Sequence, residues 1–260
     1  MSLGLALVLL SVIGSASSAS PQQRGVNAGM ELRIMPQGAS VTRGTGSMDE
    51  TGYRQILRSL LEQDGNHVTF VGSVSWGDMD GNLCEGHPGY TIQGIDDIAL
   101  SDGAYEYLPN VILLNAGTND CNLLDQDPGG APARYTTLLN HIREHNPDTT
   151  VVASSLLPNL KESVDDCVRT LNAGIKEAVD NASAAGMKMG WVDVYNAVPK
   201  KDIHPDDNTH PTDEGYELLA SAWYSGIQLV ADKITAPDPN GKAVPDTTAC
   251  GGLSDTSCED

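Results

Sequence analysis

The feature that most constrains the fold of this chain is the alternation of short apolar segments with longer amphipathic stretches. The apolar segments are rich in Val, Ile and Leu and run without interruption, which is typical of parallel strands covered on both faces. The amphipathic stretches between them predict crossover helices, so the fold class is α/β. We expect five strands, at residues 32–35, 68–71, 111–115, 150–154 and 189–192, and helices at residues 53–63, 134–146, 164–185 and 212–234.

This pattern covers residues 30–236, which we expect to form one domain. Of the 260 residues, 40% are hydrophobic, which is enough for one full core. After Ala236 the composition changes to Pro, Gly, Asp, Thr and Ser. This change predicts that residues 237–260 form a mobile tail rather than a second domain.

The first 20 residues carry the pattern of a signal peptide. An apolar run from Ser2 to Gly14 precedes small residues at 15–20, as in the core and cleavage region of such a peptide. A membrane anchor is the alternative, but the run is shorter than the roughly 20 residues that span a bilayer. The absence of Lys or Arg at its front weakens both interpretations. We expect residues 1–20 to be removed and the protein to be secreted into the extracellular space.

Charge restricts the partners of the chain. It carries 35 acidic and 15 basic residues, a formal net charge of −20. Such a surface disfavours contact with phosphate backbones and anionic lipids, so we expect no nucleic acid partner and no stable membrane association. A neutral substrate is favoured.

Five cysteines in a secreted chain predict disulfides with one thiol left over. Cys250 and Cys258 lie in the Gly- and Ser-rich tail, where a small loop closes easily, and Cys121 and Cys167 could join two loops of the domain. Cys84 would then be the unpaired one, although sequence alone does not give the pairing. None of the five has the paired spacing of a zinc site, so we expect no metal.

Candidate functional residues follow the predicted strands, at the edge where ligands of open parallel sheets bind. Ser40 follows the first strand, Gly89 lies in the loop after the second, and Asn119 follows the third. His210 lies between the last strand and the last helix. These four separate loops are therefore predicted to converge.

Ser40 stands on a tight turn after a strand and is the candidate nucleophile, although taken alone it would be a loop or helix-capping serine. A serine hydroxyl needs a neighbouring base. Asp207 lies three residues before His210, so its carboxylate can bind Nδ1 and leave Nε2 to face the serine. Three nearby residues are less favoured alternatives for these roles: Asp202, His204 and Asp206.

Acyl transfer also requires hydrogen-bond donors for the oxyanion of the tetrahedral intermediate. Asn119, within the sequence Gly-Thr-Asn-Asp, offers an amide side chain just beyond a strand. Gly89 offers a backbone N–H that no side chain shields. Both residues could instead be ordinary turn residues, because Asn-Asp and Pro-Gly pairs are common in turns.

Together these segments resemble the four sequence blocks of the SGNH hydrolase superfamily, also called GDSL esterases, over residues 32 to about 232. Ser40, Gly89 and Asn119 match the family's serine, glycine and asparagine, and Asp207 with His210 matches its D-x-x-H. The resemblance implies a flavodoxin-like three-layer α/β/α sandwich with a five-stranded parallel sheet. It also implies that Ser40, Asp207 and His210 are catalytic, and that Ser40, Gly89 and Asn119 form the oxyanion hole.

One position departs from the family pattern, because Gly-Asp-Ser appears here as Gly38-Ala39-Ser40. The loss of the aspartate could change the rigidity of the loop or the orientation of Ser40. The segments at residues 70–73 and 85–90 look most similar to carbohydrate esterase family 3, which includes fungal acetyl xylan esterases.

That narrower resemblance implies a secreted serine esterase that removes acetyl groups from plant-wall polysaccharide such as acetylated xylan. We expect it to act on an acylated carbohydrate or another small ester, as a monomer and without a cofactor. One alternative is an SGNH esterase or lysophospholipase acting on lipid or aryl esters. Another is a catalytically impaired carbohydrate-binding protein, which the alanine at position 39 would explain.

Overall fold

The computed structural model describes residues 1, 26, 29–123 and 126–247. Apart from residue 1, the predicted signal peptide lies outside the described residues, as do residues 248–260 of the predicted tail. Removal of the signal peptide, the boundary at residue 236 and the mobility of the tail stay predictions.

A seven-stranded sheet forms the centre of the domain. All five predicted strands are present, and they lie parallel in the order β2-β1-β5-β6-β7. This order is that of flavodoxin-like folds, so the predicted fold class is confirmed. The strands in chain order are β1 (Glu31–Gly38), β2 (His67–Phe70), β3 (Val74–Ser75), β4 (Leu83–Gly86), β5 (Val111–Asn115), β6 (Thr150–Ser154) and β7 (Met189–Val192).

Strand β1 is longer than predicted because it pairs with two strands in succession. Its first half pairs with β2, and its last residues, Gln37 and Gly38, pair with Glu85 and Gly86 of β4. The antiparallel strand β3 lies beyond β4 at the edge of the sheet. These two short strands were not predicted, because β4 contains a buried glutamate and lacks the apolar run that marks the other strands.

Helices cover both faces of the sheet, which makes the three layers of the sandwich. Alternate residues of the central strands enter two cores: Ile112 of β5 packs with the helices of one face, and Leu113 with those of the other. The helices are α1 (Ser40–Arg43), α2 (Arg54–Gln63), α3 (Ile92–Ser101), α4 (Thr118–Asn122), α5 (Ala131–His145), α6 (Glu162–Ala184), α7 (Val194–Ala197) and α8 (Asp213–Leu229). Helices α3, α5 and α6 cover one face, and α2 and α8 cover the other.

Some helix bounds differ from the expectation. Helix α8 ends at Leu229 rather than at residue 234, because the chain tightens into a 3₁₀ turn from Ala231. Helix α5 begins at Ala131, earlier than expected, with a proline in its first turn, where proline is well tolerated. Helix α3 was not predicted, although Thr91 caps it by accepting a hydrogen bond from Gly94 N–H.

Arg54, the first residue of α2, is a fully buried cation. Its guanidinium donates to the carbonyl oxygen of Arg43, the last residue of α1, at 2.7 Å and to that of Glu50, in the loop after α1, at 3.0 Å. It also donates to those of Trp76 and Asn82, at 2.8 and 2.7 Å, in the β3–β4 hairpin. A buried charge is costly unless it is hydrogen-bonded, so these four bonds hold the two loops together.

The described part of the predicted tail, residues 237–247, lies against the domain. The Lys242 N–H donates to the Glu106 carbonyl at 2.8 Å. Thr247 is buried at the β3–β4 hairpin, where its carbonyl accepts from Gly81 N–H at 2.8 Å and its Oγ1 accepts from Asn82 N–H at 3.1 Å. The described tail therefore reaches the hairpin that precedes the loop of Gly89.

Candidate active site

Ser40 begins α1 directly after β1, at the carboxyl edge of the sheet. Gly38 lies so close to β5 that a Cβ on it would be 2.3 Å from the Asn115 carbonyl oxygen. The glycine therefore allows β1 to run tightly along β5 up to the turn that carries the serine. The N–H of Ser40 has no partner within the helix, because the first N–H groups of a helix never do.

The structure brings Ser40, His210 and Asp207 together, although 170 positions separate the serine from the histidine. Nε2 of His210 lies 2.7 Å from Oγ of Ser40, and Nδ1 lies 2.7 Å from Oδ2 of Asp207. The other carboxylate oxygen of Asp207, Oδ1, accepts hydrogen bonds from the N–H groups of Thr209 and His210, at 2.9 and 3.0 Å. One aspartate therefore closes the loop and binds the ring, which explains the three-residue spacing.

The environment of Asp207 favours its ionised form. Burial alone would raise the pKa of Asp207, but hydrogen bonds from the backbone and ring of His210 and from the Thr209 N–H lower it below its usual value. The carboxylate is therefore charged at neutral pH and can stabilise a positive charge on the imidazole beside it.

The three alternatives considered for these roles lie elsewhere. Nε2 of His204 is 2.9 Å from the Gly46 carbonyl oxygen, which ties the histidine loop to the loop after α1. The carboxylate of Asp202 lies 3.5 Å from Nζ of Lys201. Asp206 is exposed. It is Asp207 whose carboxylate lies at the His210 ring.

The loop that carries Gly89 is hydrogen-bonded to helix α4, which carries Asn119. Nδ2 of Asn119 donates to the Tyr90 carbonyl oxygen at 2.9 Å, which connects the asparagine to the residue after Gly89. The loop of Gly89 starts beside the Ser40 turn, because His87 N–H donates to the Gly38 carbonyl at 3.0 Å. Gly89 has a φ of +81°, which favours glycine, and a Cβ there would meet nothing within 4 Å. The space around its backbone is therefore open.

A buried carboxylate network beneath this loop was not predicted. Glu85 is fully buried, and its carboxylate accepts from Ser73 N–H at 2.8 Å and from Ser73 Oγ at 3.0 Å. Its Oε1 also lies 2.6 Å from Nε2 of His87. The His87 ring lies against Tyr90, with centroids 5.5 Å apart. The available signal was the Glu-x-His spacing, which places both side chains on one side of an extended chain.

Ala39, which replaces the family's aspartate, packs in the core cluster that α3, α5 and α6 cover. Its side chain is apolar, as that environment requires. The distance of 2.7 Å between Ser40 and His210 is present with alanine at this position. The substitution therefore does not separate the serine from the histidine.

Cys121 and Cys167 form a disulfide with their Cα atoms 5.7 Å apart, which confirms that suggested pair. The bond joins helices α4 and α6, whereas two loops were expected. Cys84 is a buried free thiol, and burial raises its pKa. Cys250 and Cys258 lie outside the described residues. Within the described ranges, no group of three His, Cys, Asp or Glu side chains could hold a metal ion.

A flavodoxin-like sheet whose carboxyl edge carries a hydrogen-bonded serine, histidine and aspartate is the arrangement of an SGNH-type hydrolase. The chain belongs to the GDSL-like Lipase/Acylhydrolase family, whose family model matches residues 38–218. The matched range includes Ser40, Gly89, Asn119, Asp207 and His210, and it supports a carboxylic ester hydrolase.

Solved structures agree with this assignment. The Clostridium thermocellum family 3 carbohydrate esterase is 27% identical, with a TM-score of 0.67 over 79% of this chain and 100% of that one. A family 3 carbohydrate esterase from Talaromyces cellulolyticus is 21% identical, with a TM-score of 0.65 over 78% of this chain and 100% of its own. An acetyl esterase, solved as a mutant with an acetate ion, is 24% identical, with a TM-score of 0.62 over 77% of this chain and 99% of its own. No curated protein matches the chain.

Proposed function

We propose that this protein is a secreted serine esterase that removes acetyl groups from plant-wall polysaccharide such as acetylated xylan. The observation that carries the proposal is the unbroken series of hydrogen bonds from Asp207 through His210 to Ser40, with 2.7 Å at each step. The serine hydroxyl is a weak nucleophile on its own, and this series supplies the base that activates it.

In the proposed reaction, Oγ of Ser40 attacks the ester carbonyl carbon while Nε2 of His210 takes its proton. The ionised Asp207 stabilises the resulting imidazolium. The oxyanion accepts hydrogen bonds from the N–H groups of Ser40 and Gly89 and from the amide of Asn119. The sugar alcohol leaves with the proton of His210, and water then hydrolyses the acetyl-serine by the same steps. These groups use no cofactor.

An aromatic residue in the loop after β4, Tyr90, supports the proposal that the leaving group is a carbohydrate. Tyr90 directly follows Gly89 and is 41% exposed. Its ring rests on α3, where a Cβ on Gly94 would lie 3.1 Å from it. An exposed aromatic face next to Gly89 suits the apolar face of a sugar ring. The related structures are named as carbohydrate esterases and an acetyl esterase.

Two observations support secretion. The first 20 residues have the composition of a signal peptide. The Cys121–Cys167 disulfide is of a kind that persists in oxidising compartments. In the described part of the chain, no helix has the length and hydropathy needed to cross a bilayer.

The test is acetate release from acetylated xylan by the protein and by its Ser40→Ala variant, with p-nitrophenyl acetate as a reactivity control. Ser221→Ala is the matched control, because Ser221 is an exposed serine of α8. We expect Ser40→Ala to lose nearly all release and Ser221→Ala to retain it. If the protein cleaves only the aryl ester, and this cleavage depends on Ser40, the serine-esterase mechanism stands and the polysaccharide substrate is rejected. Release that survives Ser40→Ala would reject the mechanism.

A further inference from the structure

Helix α4 has five residues, and its last four each bind a different part of the molecule. Asn119 donates to the Tyr90 carbonyl at 2.9 Å. Asp120 is 1% exposed, and its Oδ2 accepts the N–H of Ile92, the first residue of α3, at 2.9 Å. Its Oδ1 lies 3.1 Å from Nη2 of Arg134 in α5. The carboxylate of Asp120 therefore ties α4 to two neighbouring helices.

The next two residues extend these contacts to the other side of the site. Cys121 forms the disulfide with Cys167 of α6. Nδ2 of Asn122 lies 3.4 Å from Oγ1 of Thr209, the residue before His210. Helix α4 is therefore bonded both to the loop that carries Gly89 and to the loop that carries the histidine.

These contacts matter because α4 cannot hold its own position. A helix of so few residues is only marginally stable by itself, so its orientation depends on its tertiary contacts. An oxyanion donor must be held near its productive position, and a misplacement of about 1 Å can cost on the order of a hundredfold in rate. Asn119 lies in this short helix directly before Asp120 and Cys121, whose side chains connect the helix to α3, α5 and α6.

We propose that the Asp120 carboxylate and the Cys121–Cys167 disulfide are positioning groups for Asn119. Asp120 sets the position of α4 against the loop of Gly89 through Ile92, and the disulfide fixes α4 against α6. This inference rests on the proposed function, in which the Asn119 amide binds the oxyanion. It makes the disulfide a determinant of turnover in addition to stability.

The test is a double-mutant cycle between Asp120→Asn and Asn119→Ala, measured as kcat and KM for a small acetate ester. If Asp120 acts through Asn119, Asp120→Asn lowers kcat by about tenfold with KM unchanged. In the Asn119→Ala background the same change should then lower kcat by less than about twofold, because the donor it positions is gone.

Asp96→Asn is the matched control. Asp96 is also 1% exposed, and its carboxylate, 2.9 Å from Nδ1 of His141, also joins α3 to α5. We expect Asp96→Asn to lower the melting temperature as much as Asp120→Asn does, with kcat within about twofold of the parent. If Asp96→Asn and Asp120→Asn lower kcat equally for an equal decrease in melting temperature, the proposal is overturned.

The disulfide gives a second measurement that does not depend on the folding of Asp120→Asn. Cys121→Ala with Cys167→Ala should lower kcat in the parent, yet have little effect in the Asn119→Ala background. Suppose that the cysteine changes lower kcat by the same factor in the Asn119→Ala background as in the parent, while turnover still requires Ser40. This result would reject the positioning role and leave the proposed function in place. Turnover that does not require Ser40 would reject the proposed function itself.

Discussion

At the scale of single residues, the two oxygens of Asp207 have different partners. Oδ1 accepts two backbone N–H groups of its own loop, and Oδ2 lies at the His210 ring. The same carboxylate thus fixes the loop conformation and the orientation of the imidazole. Asp206 is the adjacent residue and is also acidic, so it provides an internal comparison for the role of position.

We predict that Asp207→Ala lowers kcat by about 10³- to 10⁴-fold, because the imidazole loses both its orientation and the charge that stabilises its protonated form. Asp206→Ala should change kcat by less than about twofold, since removing an exposed side chain rarely matters. Steady-state kinetics on p-nitrophenyl acetate compares the two. If Asp206→Ala lowered kcat more than Asp207→Ala, the carboxylate that assists His210 would be that of Asp206.

At the scale of elements, the loop at residues 85–90 combines several tasks in a short segment. Glu85 anchors its start in the buried network with Ser73 and His87. The open backbone of Gly89 follows, and the ring of Tyr90 stands beyond it. The segment therefore presents an open backbone N–H and an aromatic surface beyond a hydrogen-bonded base.

We predict that Tyr90→Ala raises KM for acetylated xylo-oligosaccharides by about two- to tenfold, the loss of one aromatic packing contact. Vinyl acetate has no ring to pack on Tyr90, so its kcat/KM should stay within about twofold. Tyr90→Phe, which keeps the ring, is the control and should behave as the parent on both substrates. Equal losses on both substrates would show that Tyr90 supports the loop instead of the sugar.

The elements also show what the sequence could reveal. Strands β5, β6 and β7 have the predicted bounds, because strands buried on both faces leave continuous apolar runs. The serine, histidine and aspartate were predicted because their chemistry requires fixed residue types and the sheet topology brings strand ends together. Strand β4 and helix α4 were missed, since their positions depend on tertiary contacts of Glu85 and Asp120, which carry no periodic signal.

At the scale of the whole molecule, the proposed polysaccharide substrate would meet a protein with a net charge of −20. Repulsion between an acidic protein and an acidic polymer acts over the Debye length, which falls from about 30 Å at 0.01 M salt to about 10 Å at 0.1 M. A neutral polymer experiences no such repulsion. The protein should therefore discriminate against acidic substrates at low salt.

We predict that kcat/KM on acetylated polygalacturonate rises severalfold between about 0.01 and 0.1 M NaCl, while kcat/KM on neutral acetylated xylan stays within about twofold. Initial rates of acetate release at matched acetyl concentrations measure the difference. The neutral polymer serves as the control for effects of salt on the enzyme. An equal response of both polymers would mean that the negative charge lies away from the substrate surface.

The buried guanidinium of Arg54 has a consequence for how this protein can diversify. Its four bonds all end on main-chain carbonyl oxygens, at the end of α1, in the loop after it and in the β3–β4 hairpin. Every amino acid supplies the same carbonyl, so these four bonds place no demand on the side chains at their acceptor positions. A library randomised at the exposed positions of these loops should yield many folded members, and few should survive Arg54→Lys, because a compact ammonium with three donors cannot reach all four carbonyl oxygens. The buried guanidinium would thus hold both loops in place whichever side chains their exposed positions carry.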